Sequence, residues 1–117
     1  MAQYVDGYII PMKKSKVKSY KKLAMWGRRV WMKHGALSYY ECVADDYVEH
    51  GMGFKKMCKL KPDETVVFAY IVYKSKAHRK QVMKKVTEEM SKAGPMPDMP
   101  FDMKRFATAG FSALVRS

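Results

Sequence analysis

Two carboxylates stand where carboxylates are uncommon. Asp6 lies inside the apolar run 3–11 and Glu41 inside the run 37–45, both rich in strand-forming residues. A carboxylate in the middle of a strand, with water largely excluded, has its proton affinity raised unless it is paired. That is the condition for a general acid or base. Tyr8, Tyr39, Tyr70, Thr108 and Ser112 are the hydroxyls that strand alternation can bring near them. Arg105 or Lys104 is the candidate cation, either pairing with a carboxylate or holding an anionic ligand. The plainer reading of Asp6 and Glu41 is structural: hydrogen bonds to a neighbouring chain, or an ion pair between subunits. Asp6 and Glu41 are thus the catalytic candidates, and Tyr8, Tyr39, Tyr70 and Arg105 the candidate ligand-binding residues.

No other chemistry stands out. Cys42 and Cys58 have neither C-x-x-C nor zinc-finger spacing and are expected to remain thiols. His34, His50 and His78 are scattered, with no i, i+4 or His-x-His pair, so no metal site is assigned and no cofactor is implied. His34 suits a helix end, where a partly charged imidazole complements the dipole. His78 falls in the first turn of a helix and reads as surface, and His50 as solvated.

The residues are positioned by elements read in the order strand, helix, strand, strand, helix, strand. The first strand, 3–11, ends at Pro11. A helix over 13–34 carries Val17, Tyr20, Leu23, Ala24, Gly27, Val30, Trp31 and His34 on one stripe, and Gly35 closes it. Gly27 costs about 1 kcal/mol of helix propensity, which a close approach to the sheet would explain. The second strand is 37–45. An irregular excursion with Gly51, Gly53 and Pro62 fills 46–62. The third strand, 64–74, is apolar on both parities. Ser75 caps a second helix that runs to Ala93, with Val82, Met83, Val86 and Met90 inward and Gly94 as its stop. Three prolines make 95–104 an extended loop, whose Met96, Met99 and Met103 suit a pliable lid. The last strand is 105–115.

This order is the ferredoxin-like βαββαβ layout, an α+β fold with two helices on one face of an antiparallel sheet. The 117 residues suit one domain. Val5, Gly7 and Ile9, with Ala107, Ala109 and Phe111, form the cleanest apolar sets and are expected beneath the helices. Asp6, Tyr8, Tyr39, Glu41, Tyr70 and Thr108 are then expected on the bare face. The middle strands are apolar on both sides, so a bare face would be an apolar patch too large for a monomer. A homodimer closed sheet to sheet is the expected solution, with these residues lining a cavity between the sheets.

Charge and composition exclude some classes. Lys and Arg number 23 against 11 Asp and Glu, a net +12. The composition, 48% hydrophobic and 29% charged, is that of a globular chain. No run approaches the ~18 apolar residues of a membrane span, so no membrane partner is expected. The first residues lack a basic stretch and an apolar core, which predicts no secretory signal and a cytoplasmic location. The charge would attract polyanions, and the strand order is shared with RNA-recognition modules. However, Phe68 and Tyr70 on the third strand lack the accompanying Lys/Arg-Gly pattern, and a dimer would cover them. Nucleic acid is therefore not expected as a partner, and the lysines read as a solvated surface.

Several segments together resemble a known family. They are Tyr-Val-Asp-Gly at 4–7, His-Gly-Ala-Leu at 34–37, Glu-Cys-Val at 41–43 and Glu-Thr-Val-Val-Phe at 64–68. Further along come Ile-Val-Tyr-Lys-Ser at 71–75, Ala-His-Arg at 77–79, Met-Pro-Phe-Asp at 99–102, Lys-Arg at 104–105 and Gly-Phe at 110–111. The chain resembles the YbaA-like family of uncharacterised bacterial proteins along its whole length. The resemblance implies the dimeric α+β barrel superfamily, in which two ferredoxin-like sheets face each other, and it implies no activity. That superfamily includes cofactor-free monooxygenases, haem-degrading enzymes and isomerases. Its oxygenases use an Asn, Trp and His constellation. This chain has Trp26, Trp31 and His34 but no asparagine, which counts against an oxygenase. The leading expectation is therefore a small-molecule binder or enzyme. A non-catalytic interaction module is the alternative.

Overall fold

The computed structural model describes residues 2–48, 50–94 and 99–117. Strand β1 spans Tyr4–Lys13 and leads through a single 3-10 turn, Lys14–Lys16, into helix α1, Val17–Lys33. Strand β2, Ser38–Val43, follows. The excursion contains one helical turn, α2, Phe54–Met57. Strand β3, Glu64–Tyr73, helix α3, Lys76–Lys92, and strand β4, Ala107–Ser112, complete the order. The sheet runs β2-β3-β1-β4 with every neighbour antiparallel. This is the ferredoxin-like α+β arrangement. The most apolar strands, β1 and β3, occupy its centre.

Pro11 does not end β1. It pairs with Val66, and its carbonyl accepts from Asp102 N–H at 3.2 Å on the other side. In an antiparallel strand the N and O of one residue point the same way. The missing N–H of Pro11 therefore faces away from β3, beyond the last pair between β1 and β4, where it costs no ladder bond.

Helix α1 buries Tyr20, Gly27 and Val30 on the expected stripe and half-buries Val17, Leu23, Ala24 and Trp31. Ser75 Oγ accepts from His78 N–H at 3.1 Å and caps α3, which buries Val82 and Val86. Gly35 closes α1 at φ 108°, a left-handed conformation that favours glycine. The helices are tied to each other where Lys33 Nζ and His34 Nε2 both meet Glu89 Oε1, at 2.9 and 2.8 Å. Those two bonds hold the Glu89 carboxyl below its ordinary range.

The expected assignment of faces is reversed. The helices cover Tyr4, Asp6, Tyr8, Ile10 and Met12 of β1, with Tyr39 and Glu41 of β2 and Phe106 of the segment entering β4. Val5, Gly7 and Ile9, in register with Phe111, Ala109 and Ala107, lie on the bare face instead. The cleaner apolar set is thus the uncovered one. The row with carboxylates can be buried because its charges find partners within the chain. Tyr40, Phe68 and Phe111 leave the bare face strongly apolar, at 53%, 46% and 56% exposure.

Of the loop expected at 95–104, residues 95–98, Met96 among them, lie outside the described residues. Among the described residues, no helix is long and apolar enough to cross a membrane. Cys42, exposed, and Cys58, buried, are free thiols.

Candidate functional site

Strand register builds the site. Tyr8 and Glu41 both pair with Ala69, so the three form one row across β1, β3 and β2. Asp6 and Tyr39 both pair with Ile71, one row further along the same face. The short side chain of Ala69 leaves space between Tyr8 and Glu41. Helix α1 roofs that space with Tyr20, Ala24, Gly27 and Trp31, and Met99, Phe101 and Phe106 close one side. The result is a cavity of about 210 Å³ between sheet and helices, inside one subunit. Among the described residues, Glu41 is the only charged one lining it.

Glu41 is held by two phenols. Tyr20 Oη donates to Oε1, and Tyr39 Oη donates to Oε2 at 2.6 Å. Burial above all, then the hydrogen bond to Glu41 and its charge, push both phenols far above the usual tyrosine range. They therefore remain protonated donors at any physiological pH. Two fixed donors on a carboxylate set its orientation and leave further lone pairs for a third group.

Asp6 forms a second cluster behind Tyr8. Trp31 Nε1–H donates to Tyr73 Oη at 3.0 Å, and Tyr73 Oη donates to Asp6 Oδ2 at 3.1 Å. Arg79 Nε donates to the same oxygen at 3.0 Å. Asp6 is 1% exposed, and its Oδ1 has no hydrogen-bond partner among the described residues. Tyr8 titrates at about 12, raised first by burial and next by the charge of Asp6, with Arg79 and a hydrogen bond from Thr108 opposing. The Tyr73 phenol is likewise raised, by burial and then by Asp6.

The expected residues thus divide. Tyr8, Tyr39 and Glu41 meet at the cavity, and Asp6 stands behind them without lining it. Tyr70 is on the opposite, bare face, in register with Gly7 and stacked on Tyr40 with ring centroids 5.1 Å apart. Strand β3 is apolar on both parities, so its alternation gave no sign of which set Tyr70 joins. Ser112 is exposed at the edge strand. Arg105 pairs with neither Asp6 nor Glu41. Its Nη1 and Nη2 donate to Glu64 Oε1 and Oε2 at 2.8 and 2.5 Å, its Nε donates to Asp102 at 2.7 Å, and Nη1 also reaches the Cys58 and Lys59 carbonyls. It staples the excursion and the last loop to the start of β3. That leaves little of it for a ligand.

Three contributors escaped sequence reading: Tyr20, Tyr73 and Arg79. Tyr20 on an otherwise apolar stripe was the available signal, because a buried phenol needs a partner for its hydroxyl. Gly27 has the close approach expected of it. A Cβ there would lie 2.7 Å from Tyr39 Oη.

The comparisons with known proteins agree with this geometry in fold and stop short of an activity. The model of a family described as a protein of unknown function, DUF1428, matches residues 3–103. The uncharacterised protein YbaA of Escherichia coli K12 is 30% identical over 114 residues, covering 97% of each chain. The chain belongs to the YbaA-like family, DUF1428. YbaA of Shigella flexneri matches to the same extent. A crystal structure described as a dimeric ferredoxin-like protein, from an uncultured marine organism, superposes with a TM-score of 0.62 over the whole of both chains. At 11% identity it shares the fold alone. The YbaA-like family carries no established activity.

Proposed function

We propose that each subunit binds one small molecule in the cavity between α1 and the sheet. The ligand has an apolar body and a hydrogen-bond donor, such as an amine or hydroxyl, at Glu41. One observation carries this reading: a single, doubly oriented carboxylate at the edge of an otherwise apolar cavity. An apolar cavity of about 150 Å³ is enough for benzene. The 210 Å³ here suits one ring with a short side chain. Glu41 would hold the donor, or accept its proton. Phenethylamine is a suitable probe. Calorimetry should show one bound per subunit, and both Glu41→Gln and the cavity-filling Ala69→Leu should abolish binding. An inert wild-type protein, or binding untouched by both changes, overturns the proposal.

We also infer that a second copy covers the bare sheet face. Tyr40, Phe68 and Phe111 there form an apolar surface of the kind that obligate homodimers bury. The structural relative described as dimeric supports the same assembly. In this arrangement the dimer interface and the ligand site lie on opposite faces of one sheet. Sedimentation should give twice the subunit mass at micromolar concentration, and a lone subunit would refute the assembly.

A further inference from the structure

The cavity has an outer continuation. A groove of about 420 Å³ opens between α1 and the edge strand β2. It shares Tyr20, Ala24, Tyr39 and Glu41 with the inner cavity, so the two spaces meet at Glu41. Its other charged lining residues are both basic: Lys21 and Arg28. They are seven positions apart on α1, two turns along one line of the helix, which is about 10 Å. Ala24 falls between them, and its small side chain lines both spaces.

Both basic groups are exposed, and neither is in an ion pair among the described residues. Glu41 forms no ion pair with either of them, and its two oxygens accept from Tyr20 and Tyr39. From the outer groove inward the lining thus offers two cations in no ion pair among the described residues, then the shared carboxylate, then the apolar wall of the inner cavity. The order of charges along it is complementary to one class of molecule.

We propose that the ligand is a small amphipathic acid that also carries the donor: an amino or hydroxy acid with a ring-sized apolar side chain. The apolar side chain fills the inner cavity and the amine or hydroxyl donates to Glu41. The carboxylate is received by Arg28, whose planar fork can hold it through two hydrogen bonds, with Lys21 beside it. This assignment rests on the cavity reading given above and adds the anionic head to it.

The general field of a +12 chain would also favour an acid, so the test must separate the groove from the field. Phenylalanine and phenethylamine differ by one carboxylate. Calorimetry at fixed ionic strength compares them on the wild type, on a Lys21→Glu, Arg28→Glu variant, and on a Lys80→Glu, Lys84→Glu variant. The last carries the same change in net charge on exposed positions of α3 away from the groove. Phenylalanine should bind the wild type roughly tenfold or more tightly than the amine, as a charge-assisted hydrogen bond would give. The groove variant should erase that advantage by weakening phenylalanine without weakening the amine, while the α3 variant keeps it. Equal binding of the two probes, or equal loss in both variants, overturns the anionic-head assignment while the cavity reading stands. Failure of both probes on the wild type removes the cavity reading itself.

Discussion

Arg79 Nε donates to Asp6 Oδ2 over 3.0 Å and so joins the first turns of α3 to the middle of β1. Asp6 is almost wholly buried, and Arg79 keeps a third of its side chain in solvent. The pair is the reason a carboxylate can sit under the helices. Arg79 supplies charge from the wet end, and Tyr73 supplies a hydroxyl from the dry one.

Removing the cation alone should therefore hurt most. Arg79→Ala leaves a buried carboxylate uncompensated and is expected to cost about 3 kcal/mol or more. Asp6→Ala also costs stability, by emptying the space around Tyr73 Oη. In the double variant the loss should be smaller than the sum of the singles, because each residue's main partner is the other. Urea unfolding of the three proteins measures this. Additive losses would show that the two side chains do not depend on each other.

Gly27→Ala sets two effects against each other. Alanine improves helix propensity by about 1 kcal/mol. The added Cβ would fall 2.7 Å from Tyr39 Oη, which is already held by Glu41 at 2.6 Å. The variant is expected to gain no stability and to lose phenethylamine binding, since Tyr39 must leave Glu41 or α1 must move. Thermal unfolding and calorimetry check both. A stabilised variant with unchanged binding would contradict the packing described.

Acid should loosen the staple at Arg105. The bidentate hydrogen bond from Arg105, helped by the Lys61 N–H, lowers the Glu64 carboxyl from its ordinary 4.5 to about 2. A depressed folded value means that the unfolded chain binds the proton more readily. The contribution of Glu64 is thus full above pH 4.5 and is lost as the pH falls toward 2. Unfolding followed between pH 6 and pH 2 should show a drop across that window in the wild type. In Arg105→Met the drop should be much smaller, from a starting stability lower by about 3 kcal/mol. A wild-type profile flat across the window would remove Glu64 from this role.

Much of the fold was legible because it rests on local patterns. The β-branched run 64–73, the α1 stripe with Gly35 behind it, and Ser75 at the start of α3 each specify an element without reference to the rest. Alternation also grouped Tyr8, Tyr39 and Glu41 correctly. What it could not give is which side the helices cover. Val5 and Ile9 looked like the natural core set, yet the helices lie over Asp6 and Tyr8. The burial of that row depends on Arg79, 73 positions away from Asp6, and on Tyr20, 21 positions from Glu41. Pairings at such separations leave no periodic trace. The same limit hid the pairing of Arg105 with Glu64 and Asp102, and it hid the separation of Tyr70, which lies on the bare face as expected, from Tyr8, Tyr39 and Glu41.

Ligand binding by a forced monomer tests most directly whether the site belongs to one subunit. Phe68→Glu with Phe111→Glu places charges on the bare face and changes no residue that lines the cavity. The double variant should sediment as a single folded subunit and bind phenethylamine as tightly as the wild type does. If the folded monomer has lost binding, the ligand is held between two sheets, and the enclosure of Glu41 under α1 is not the site.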